Sequence, residues 1–151
     1  MVKNIPYFRN LGDYIIQEII YLLKPKRYEA GSLIVQRGDE VEQIYLLKAG
    51  CIVVEIPDLA NNLQDDKCIF LDWLNEGSCF CTYTGFNKEM YQLVNFKAVT
   101  TCIVETIEIN ALKELEKNHI PLRDILKKLE IDILQGEKSD LDFFRFMPPR
   151  N

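Results

Sequence analysis

Basic residues are outnumbered in this chain, which has 18 Lys and Arg against 23 Asp and Glu and a formal net charge of −5. A protein that binds nucleic-acid phosphates without regard to sequence needs a basic surface, so no nucleic-acid partner is predicted. No apolar run approaches the roughly 18 to 20 residues of a membrane span. The start, MVKNIPYF, also lacks the apolar core of a signal peptide. We therefore expect a cytoplasmic chain, or the cytosolic part of a membrane protein, without direct membrane insertion.

The chain has a single histidine and five cysteines. The five cysteines are an odd number spread through apolar patterns, which favours free, buried thiols in a reducing compartment. A structural zinc site needs four ligands, but only Cys79 and Cys81 lie close together and the single His119 is distant. No nucleophile or phosphate-loop motif is present, and His119 is typical of a loop or helix end. The sequence predicts neither a metal site nor an enzyme.

The remaining composition, 48% hydrophobic and 27% charged, is ordinary for one globular domain. Helical periodicity at residues 14–23, after Gly12 and Asp13, predicts a first helix that Pro25 ends. The period then changes to about two, which predicts short strands separated by glycine turns. These strands are expected at residues 26–30, 33–36, 43–48, 51–56, 67–74 and 99–109.

Two helices are predicted after the strands. Asn110 is the expected N-cap of a short helix over residues 111–116, and a longer amphipathic helix covers residues 122–135. The fold class is therefore α+β, an antiparallel, jelly-roll-like β-roll with an N-terminal helix and two C-terminal helices. We divide the chain into a lead and helix (1–25), the β-roll (26–109), the C-terminal helices (110–136) and an apolar tail (137–151). The polar stretch 58–66 is expected to be an exposed hairpin loop.

The segment best suited to a ligand is residues 76–98, EGSCFCTYTGFNKEMYQLVNFKA. It lies between two predicted strands, yet its glycines and turn-forming polar residues are typical of a loop or short helix. Such interruptions of a β-rich scaffold commonly carry binding residues. The functional site is therefore predicted in this 76–98 segment.

Four stretches of the chain resemble the cyclic-nucleotide-binding domain family, in the ion-channel-like form known as the cyclic-nucleotide-binding homology domain. The likeness covers about residues 5–135 and follows the family's order of lead, first strand pair, hairpin and start of the phosphate-binding cassette. The stretches are IPYF with Leu11, YEAGSLI (28–34) with Gly38 and Asp39, IYLLKAG (44–50) and LNEGSCF (74–80). The resemblance implies a β-roll whose 76–98 segment corresponds to the cassette.

Two of the family's cassette residues are replaced in this chain. In the family, a Gly and then a Glu follow the cassette aromatic; the Gly lets the backbone approach and the Glu contacts the ribose. Phe80 corresponds to the aromatic, but Cys81 stands at the Gly position and Thr82 at the Glu position.

The family's phosphate-binding Arg is also replaced. Counting back from Cys102 places its position at Gln92, or at Tyr91 with another gap, and the nearest basic residues are Lys88 and Lys97. Lys88 would replace the charge only if its loop folded inward. Losing one partner of a buried charge pair costs about 2 to 5 kcal/mol, which moves a micromolar site to roughly tens of micromolar up to millimolar. We expect weak or no cAMP or cGMP binding and no other cofactor.

The resemblance assigns further residues to the site. Its pocket positions are Gly77, Phe80, Cys81, Thr82, Tyr83, Gln92, Leu93 and Val94. A plainer interpretation makes Thr82, Thr84 and Gln92 loop residues that satisfy local backbone groups. By resemblance, Leu129 and Ile133 form a lid on the pocket, with plain helix packing as the alternative.

The apolar tail has two possible roles. Phe143 and Phe144 could fill the pocket as an intrinsic ligand, as the resemblance to the ether-à-go-go class of potassium channels implies. With Phe146, they could instead form an interface to other parts of a longer protein.

The function predicted is that of a regulatory domain in a larger intracellular protein such as an ion channel. Its last helix would change position when the pocket fills and so bias the rest of the parent protein or a partner subunit. One alternative is a scaffold domain with a vestigial pocket that binds a protein partner. The other is a cAMP sensor like a kinase regulatory subunit. The oligomeric state is left open.

Overall fold

The computed structural model describes residues 1–57, 68–87 and 92–135. Within these ranges, two four-stranded antiparallel sheets enclose a common apolar interior, and helices precede and follow them, which confirms the predicted fold class. One sheet has the order β1 (Lys24–Tyr28), β8 (Cys102–Glu108), β3 (Gln43–Ala49), β6 (Cys79–Phe80). The other has the order β2 (Leu33–Val35), β7 (Asn95–Ala98), β4 (Ile52–Pro57), β5 (Cys68–Leu74). The predicted loop at 58–66 lies outside the described residues.

The helical elements gather at the two ends of the described chain. The N-terminal lead, residues 1–12, contains single 3₁₀ turns at Val2–Asn4 and Phe8–Asn10 and is followed by α1 (Asp13–Ile20). The others are α2 (Thr82–Phe86), α3 (Ile109–Leu115) and α4 (Ile120–Leu134), with a 3₁₀ turn at Glu116–Asn118 between the last two. None of the helices in the described part of the chain is long and apolar enough to cross a membrane.

The first helix is shorter than its periodicity indicated. It ends at Ile20 rather than at residue 23, and β1 already begins at Lys24 with Pro25 inside it. Among the described strands β1 pairs only with β8, at the edge of its sheet, so the missing N–H of Pro25 is tolerated there. Pro25 therefore belongs to a strand and does not simply end a helix.

The predicted N-cap at Asn110 is wrong. Helix α3 begins one residue earlier, at Ile109, and Glu108 precedes it without a side-chain cap. The backbone N–H of Ile109 donates to the carbonyl of Glu42 at 3.0 Å, so the chain before β3 satisfies this donor. Helix α4 also begins earlier than predicted, with Pro121 in its first turn, where a proline costs no hydrogen bond.

Two apolar clusters hold the molecule together. One lies inside the roll, between the sheets, and includes Leu47, Val54, Phe80, Phe96 and Val104. The other joins the lead and helices α1, α3 and α4 to the outer side of β3 and β8. The lead is part of this second cluster, since Val2, Ile5 and Phe8 are all buried.

The cysteines are less uniformly buried than their apolar surroundings predicted. Cys81 and Cys102 are buried, Cys51 and Cys79 are partly buried and Cys68 is exposed. Only the first two therefore act as the core residues that the sequence analysis expected.

Candidate functional site

The 76–98 segment connects the two sheets. Its first part forms β6, which pairs with β3 in one sheet, and its last part forms β7, which pairs with β2 and β4 in the other. Helix α2 lies between them, and residues 88–91 are outside the described residues. The short helix agrees with the prediction, whereas strands β6 and β7 were missed. By its position, the segment shapes one side of the roll interior.

An aromatic stack marks the start of this segment. The ring of Phe80 lies between those of Tyr45 and Phe96, with centroids 5.0 Å and 4.6 Å away. Burial raises the pKa of the Tyr45 hydroxyl well above its ordinary value, and the neighbouring Cys81, Tyr28 and Asp39 act in the same direction. Tyr45 therefore presents a neutral hydroxyl group.

Cys81 has the backbone conformation that glycine adopts most easily. Its φ is +69°, and among the described residues other than glycine only Tyr7 shares such a positive value. A side chain at this φ strains the backbone, which is why glycine usually occupies such positions. The geometry thus fits the correspondence of Cys81 to the family's cassette glycine.

Gln92 packs directly against Cys81. The Cys81 Sγ lies 3.8 Å from the Gln92 Oε1, and neither residue is more than 1% exposed. The Gln92 backbone is fixed by hydrogen bonds to Gly38 and Asp39, of 2.8 and 2.9 Å. The Thr82 hydroxyl, also buried, lies 3.1 Å from the Cys79 Sγ. The side chains of Gln92 and Thr82 therefore contact cysteine thiols. The plainer interpretation had them satisfy only local backbone groups.

An open cavity of about 310 Å³ lies beside this packed region. Of the pocket positions assigned by resemblance, three line it: Gly77, Phe80 and Cys81. The other five do not line it; four of them are buried, and Leu93 is 39% exposed. The remaining lining residues, which sequence reasoning missed, are Asn4, Pro6, Asp72, Leu74, Ser78, Cys79 and Phe96.

A signal for part of this cavity was present in the sequence. Asp72 is the only charged residue in the apolar strand CIFLDWL and, among the described residues that line the cavity, the only charged one. A charge inside an apolar strand is unusual, because charged side chains are seldom buried without a partner. For Asn4 no comparable signal exists, since its role depends on the folded position of the lead.

The predicted lid residues lie elsewhere. Leu129 and Ile133 are buried in the helical cluster with the lead and α1, and neither lines the cavity. Their lid role remains a prediction. Lys97 does not line the cavity, and Lys88, Tyr91, Phe143, Phe144 and Phe146 lie outside the described residues.

The lead connects the cavity to α4. The Asn4 amide donates to the Gly77 carbonyl at 2.7 Å, and the Tyr7 hydroxyl donates to the buried Asp132 carboxylate at 2.5 Å. The Lys128 ammonium lies 3.7 Å from the same carboxylate and 5.8 Å from the centre of the Tyr7 ring. The lead therefore contacts both the 76–98 segment and the last helix.

The predicted place of His119 at a helix end is confirmed. It is the N-cap of α4, contacts the carboxylate of Glu18 on α1 and packs edge-on against Tyr14. It does not line the cavity. Its contacts therefore join α1 to α4.

Comparison with known proteins gives one relative in sequence and several in structure. No protein-family model matches the chain. A cyclic nucleotide-gated potassium channel from Rhizobium etli is 31% identical over 58 residues, which cover 38% of this chain and 16% of the channel. The chain therefore matches about a sixth of that relative's length.

Three solved structures superpose on most of the chain. The N-terminal domain of a transcriptional regulator from Streptomyces coelicolor has a TM-score of 0.73 at 13% identity, covering 87% of both chains. The C-linker/CNBHD of zELK channels, crystallized in the presence of cAMP, has a TM-score of 0.65 at 18% identity, covering 92% of this chain and 65% of that one.

The third structure belongs to a kinase regulator. The regulatory subunit of a cAMP-independent protein kinase A from Trypanosoma cruzi, bound to guanosine, has a TM-score of 0.65 at 14% identity, covering 95% of this chain and 45% of that one. At such identities the likeness concerns the fold. Together with the motifs of the sequence, it shows that this chain has the fold of the cyclic-nucleotide-binding domains.

Proposed function

We propose that this chain is a regulatory, non-catalytic domain of a larger protein such as an ion channel, and that it binds cAMP and cGMP weakly or not at all. The observation that carries the proposal is the contact between Cys81 and Gln92. By resemblance these residues correspond to the family's Gly and Arg, and they pack against each other inside the roll, 3.8 Å apart and without a charge.

The charge of the cavity supports the same conclusion. A cyclic phosphate needs a cation or several donors around it, and Arg is the usual partner because its planar head matches two phosphate oxygens. The described residues that line the cavity include no cation, and they include the Asp72 carboxylate. A phosphate placed there would face a like charge.

The channel context is supported by the relative from Rhizobium etli and by the fold shared with the zELK domain. The route of regulation follows from the lead, which contacts Gly77 of the 76–98 segment through Asn4 and Asp132 of α4 through Tyr7. A change at the cavity would reach α4 through these contacts and bias whatever α4 is joined to.

A phosphate-free ligand is compatible with this fold. The Trypanosoma cruzi structure holds guanosine, which has no phosphate, in a regulatory subunit called cAMP-independent. A regulatory role for this chain therefore does not require a cyclic nucleotide.

The scaffold alternative is favoured by a different observation. Phe70 and Trp73 are 41% and 50% exposed on the edge strand β5, with ring centroids 5.1 Å apart. Exposed aromatic pairs of this kind are typical of protein interfaces. Under this alternative, changes at Phe70 and Trp73 would abolish binding of a partner while changes at Gln92 would not.

Restoring the family's residues tests the proposal. Calorimetric titration of the unaltered domain should show no cAMP or cGMP binding tighter than about 10 μM. The triple variant Cys81→Gly, Thr82→Glu, Gln92→Arg should bind cAMP at least tenfold more tightly, because the guanidinium regains its phosphate partner.

The control is the same triple variant with Met in place of Arg at position 92, which has similar length but no charge. It should gain much less affinity than the Arg variant, because it restores the family's Gly and Glu but not the cation. Tight binding by the unaltered domain would refute the proposal, since Gln92 would then not be a lost contact.

A further inference from the structure

The open cavity includes only some of the positions that the resemblance assigns to the family's ligand site. Gln92 and Thr82 are buried by packing and do not line it, whereas Asn4 and Pro6 of the lead and Asp72 of β5 do. A ligand here would be contacted by the lead and by β5 as well as by the start of the 76–98 segment. The space is about 310 Å³, at the lower end of the range of small-molecule sites, and suits a molecule of two or three rings.

The apolar part of the cavity favours a flat aromatic ring. Phe80 and Phe96 line it with rings whose centroids are 4.6 Å apart, and Leu74 adds an aliphatic surface. These two rings stack on each other and are only 4% and 2% exposed, so they offer a ligand their edges. Ring edges pack favourably against the face of another aromatic ring. The two phenylalanines therefore provide a place for a base.

The polar part favours a ligand that donates hydrogen bonds and carries no negative charge. Asp72 is only partly buried, and its Oδ1 accepts a hydrogen bond of 2.8 Å from the Trp73 N–H. A carboxylate in a nucleotide-binding site commonly accepts hydrogen bonds from ribose hydroxyls. The Ser78 side chain and the Asn4 amide add polar groups to the same wall.

We propose that this cavity binds an uncharged nucleoside, with its base against Phe80 and Phe96 and its ribose hydroxyls on Asp72. The inference rests on the proposed function, because it names the ligand class of the same regulatory domain. It differs from a weakened cyclic-nucleotide site in two respects. The carboxylate belongs to Asp72 of β5 and not to the 76–98 segment, and the lead forms part of the wall.

The test uses calorimetry with adenosine, guanosine, 2′,3′-dideoxyadenosine and cAMP on the full chain. Adenosine or guanosine should bind with a Kd below about 100 μM, and cAMP should bind at least tenfold more weakly than adenosine. Dideoxyadenosine, which lacks both ribose hydroxyls, should also lose about tenfold, and this measurement needs no protein variant.

Asp72→Asn should weaken adenosine binding about tenfold without further weakening dideoxyadenosine. The matched control is Asp124→Asn, which makes the same change at an exposed residue of α4 that does not line the cavity. It should leave adenosine binding unchanged.

The outcomes separate the two proposals. If neither nucleoside binds at about 1 mM and cAMP does not bind either, the nucleoside inference fails and the regulatory proposal stands. If adenosine binds but neither the hydroxyls nor Asp72 matter, the ligand is held elsewhere and the inference also fails. Binding of cAMP tighter than about 10 μM would overturn both.

Discussion

At the scale of one residue, the strained backbone at Cys81 should fit glycine better than alanine. Its φ of +69° costs a residue with a Cβ about 1–2 kcal/mol, while glycine loses about 0.5–1 kcal/mol through its greater freedom in the unfolded chain. Cys81→Gly should therefore be more stable than Cys81→Ala by about 0.5 kcal/mol or more, the reverse of the usual order. Urea denaturation of both variants measures the difference.

Cys102 supplies the matched control. It is also buried and free, but it lies in strand β8 and is not among the residues with positive φ. Cys102→Ala should therefore be more stable than Cys102→Gly, by about 0.5–1 kcal/mol or more. If alanine were also the better replacement at Cys81, the strain argument and the correspondence with the family's glycine would lose their support.

At the scale of elements, the bond between Tyr7 of the lead and Asp132 of α4 should contribute strongly to stability. Asp132 is 8% exposed, so removing the tyrosine hydroxyl leaves a buried carboxylate without this donor. Tyr7→Phe should lower the free energy of unfolding by about 1–3 kcal/mol. A double-mutant cycle with Asp132→Asn, measured by urea denaturation, should give a coupling of about 1 kcal/mol or more.

A surface pair of the same lead provides the comparison. The Lys3 ammonium lies 3.5 Å from the Asp13 carboxylate, and their side chains are 51% and 98% exposed. Lys3→Ala should cost about 0.5 kcal/mol or less, because exposed ion pairs are screened by solvent. A coupling between Tyr7 and Asp132 as small as this would mean that the lead does not hold α4 in place.

At the scale of the whole molecule, the sequence predicted the architecture better than the site. The spacing of apolar residues and the glycine turns located six strands and the C-terminal helices. This works because burial of one face gives helices and strands different spacings of apolar residues. Strands β6 and β7 were missed because they are only two and four residues long and lie among turn-forming residues. Within the site, Phe80 and Cys81 could be placed from local motifs, and Asp72 was marked only as an isolated charge. Asn4 reaches the cavity through the packing of the distant lead, which local patterns do not encode.

The last prediction concerns the stability of the entire roll at high pH. Tyr45 stacks on Phe80 inside the roll, and burial raises the pKa of its hydroxyl above the ordinary 10.0; burial also raises the pKa of Tyr28. The unfolded chain loses these protons first, so stability is retained below about pH 10 and falls as the pH rises above it.

Tyr45→Phe keeps the ring and should reduce the fall in free energy of unfolding between pH 9 and about pH 11. Tyr21→Phe, which alters a 79% exposed side chain, should leave that fall unchanged. If the free energy of unfolding fell equally with pH in both variants and in the unaltered chain, ionisation of Tyr45 would not be coupled to unfolding of the roll.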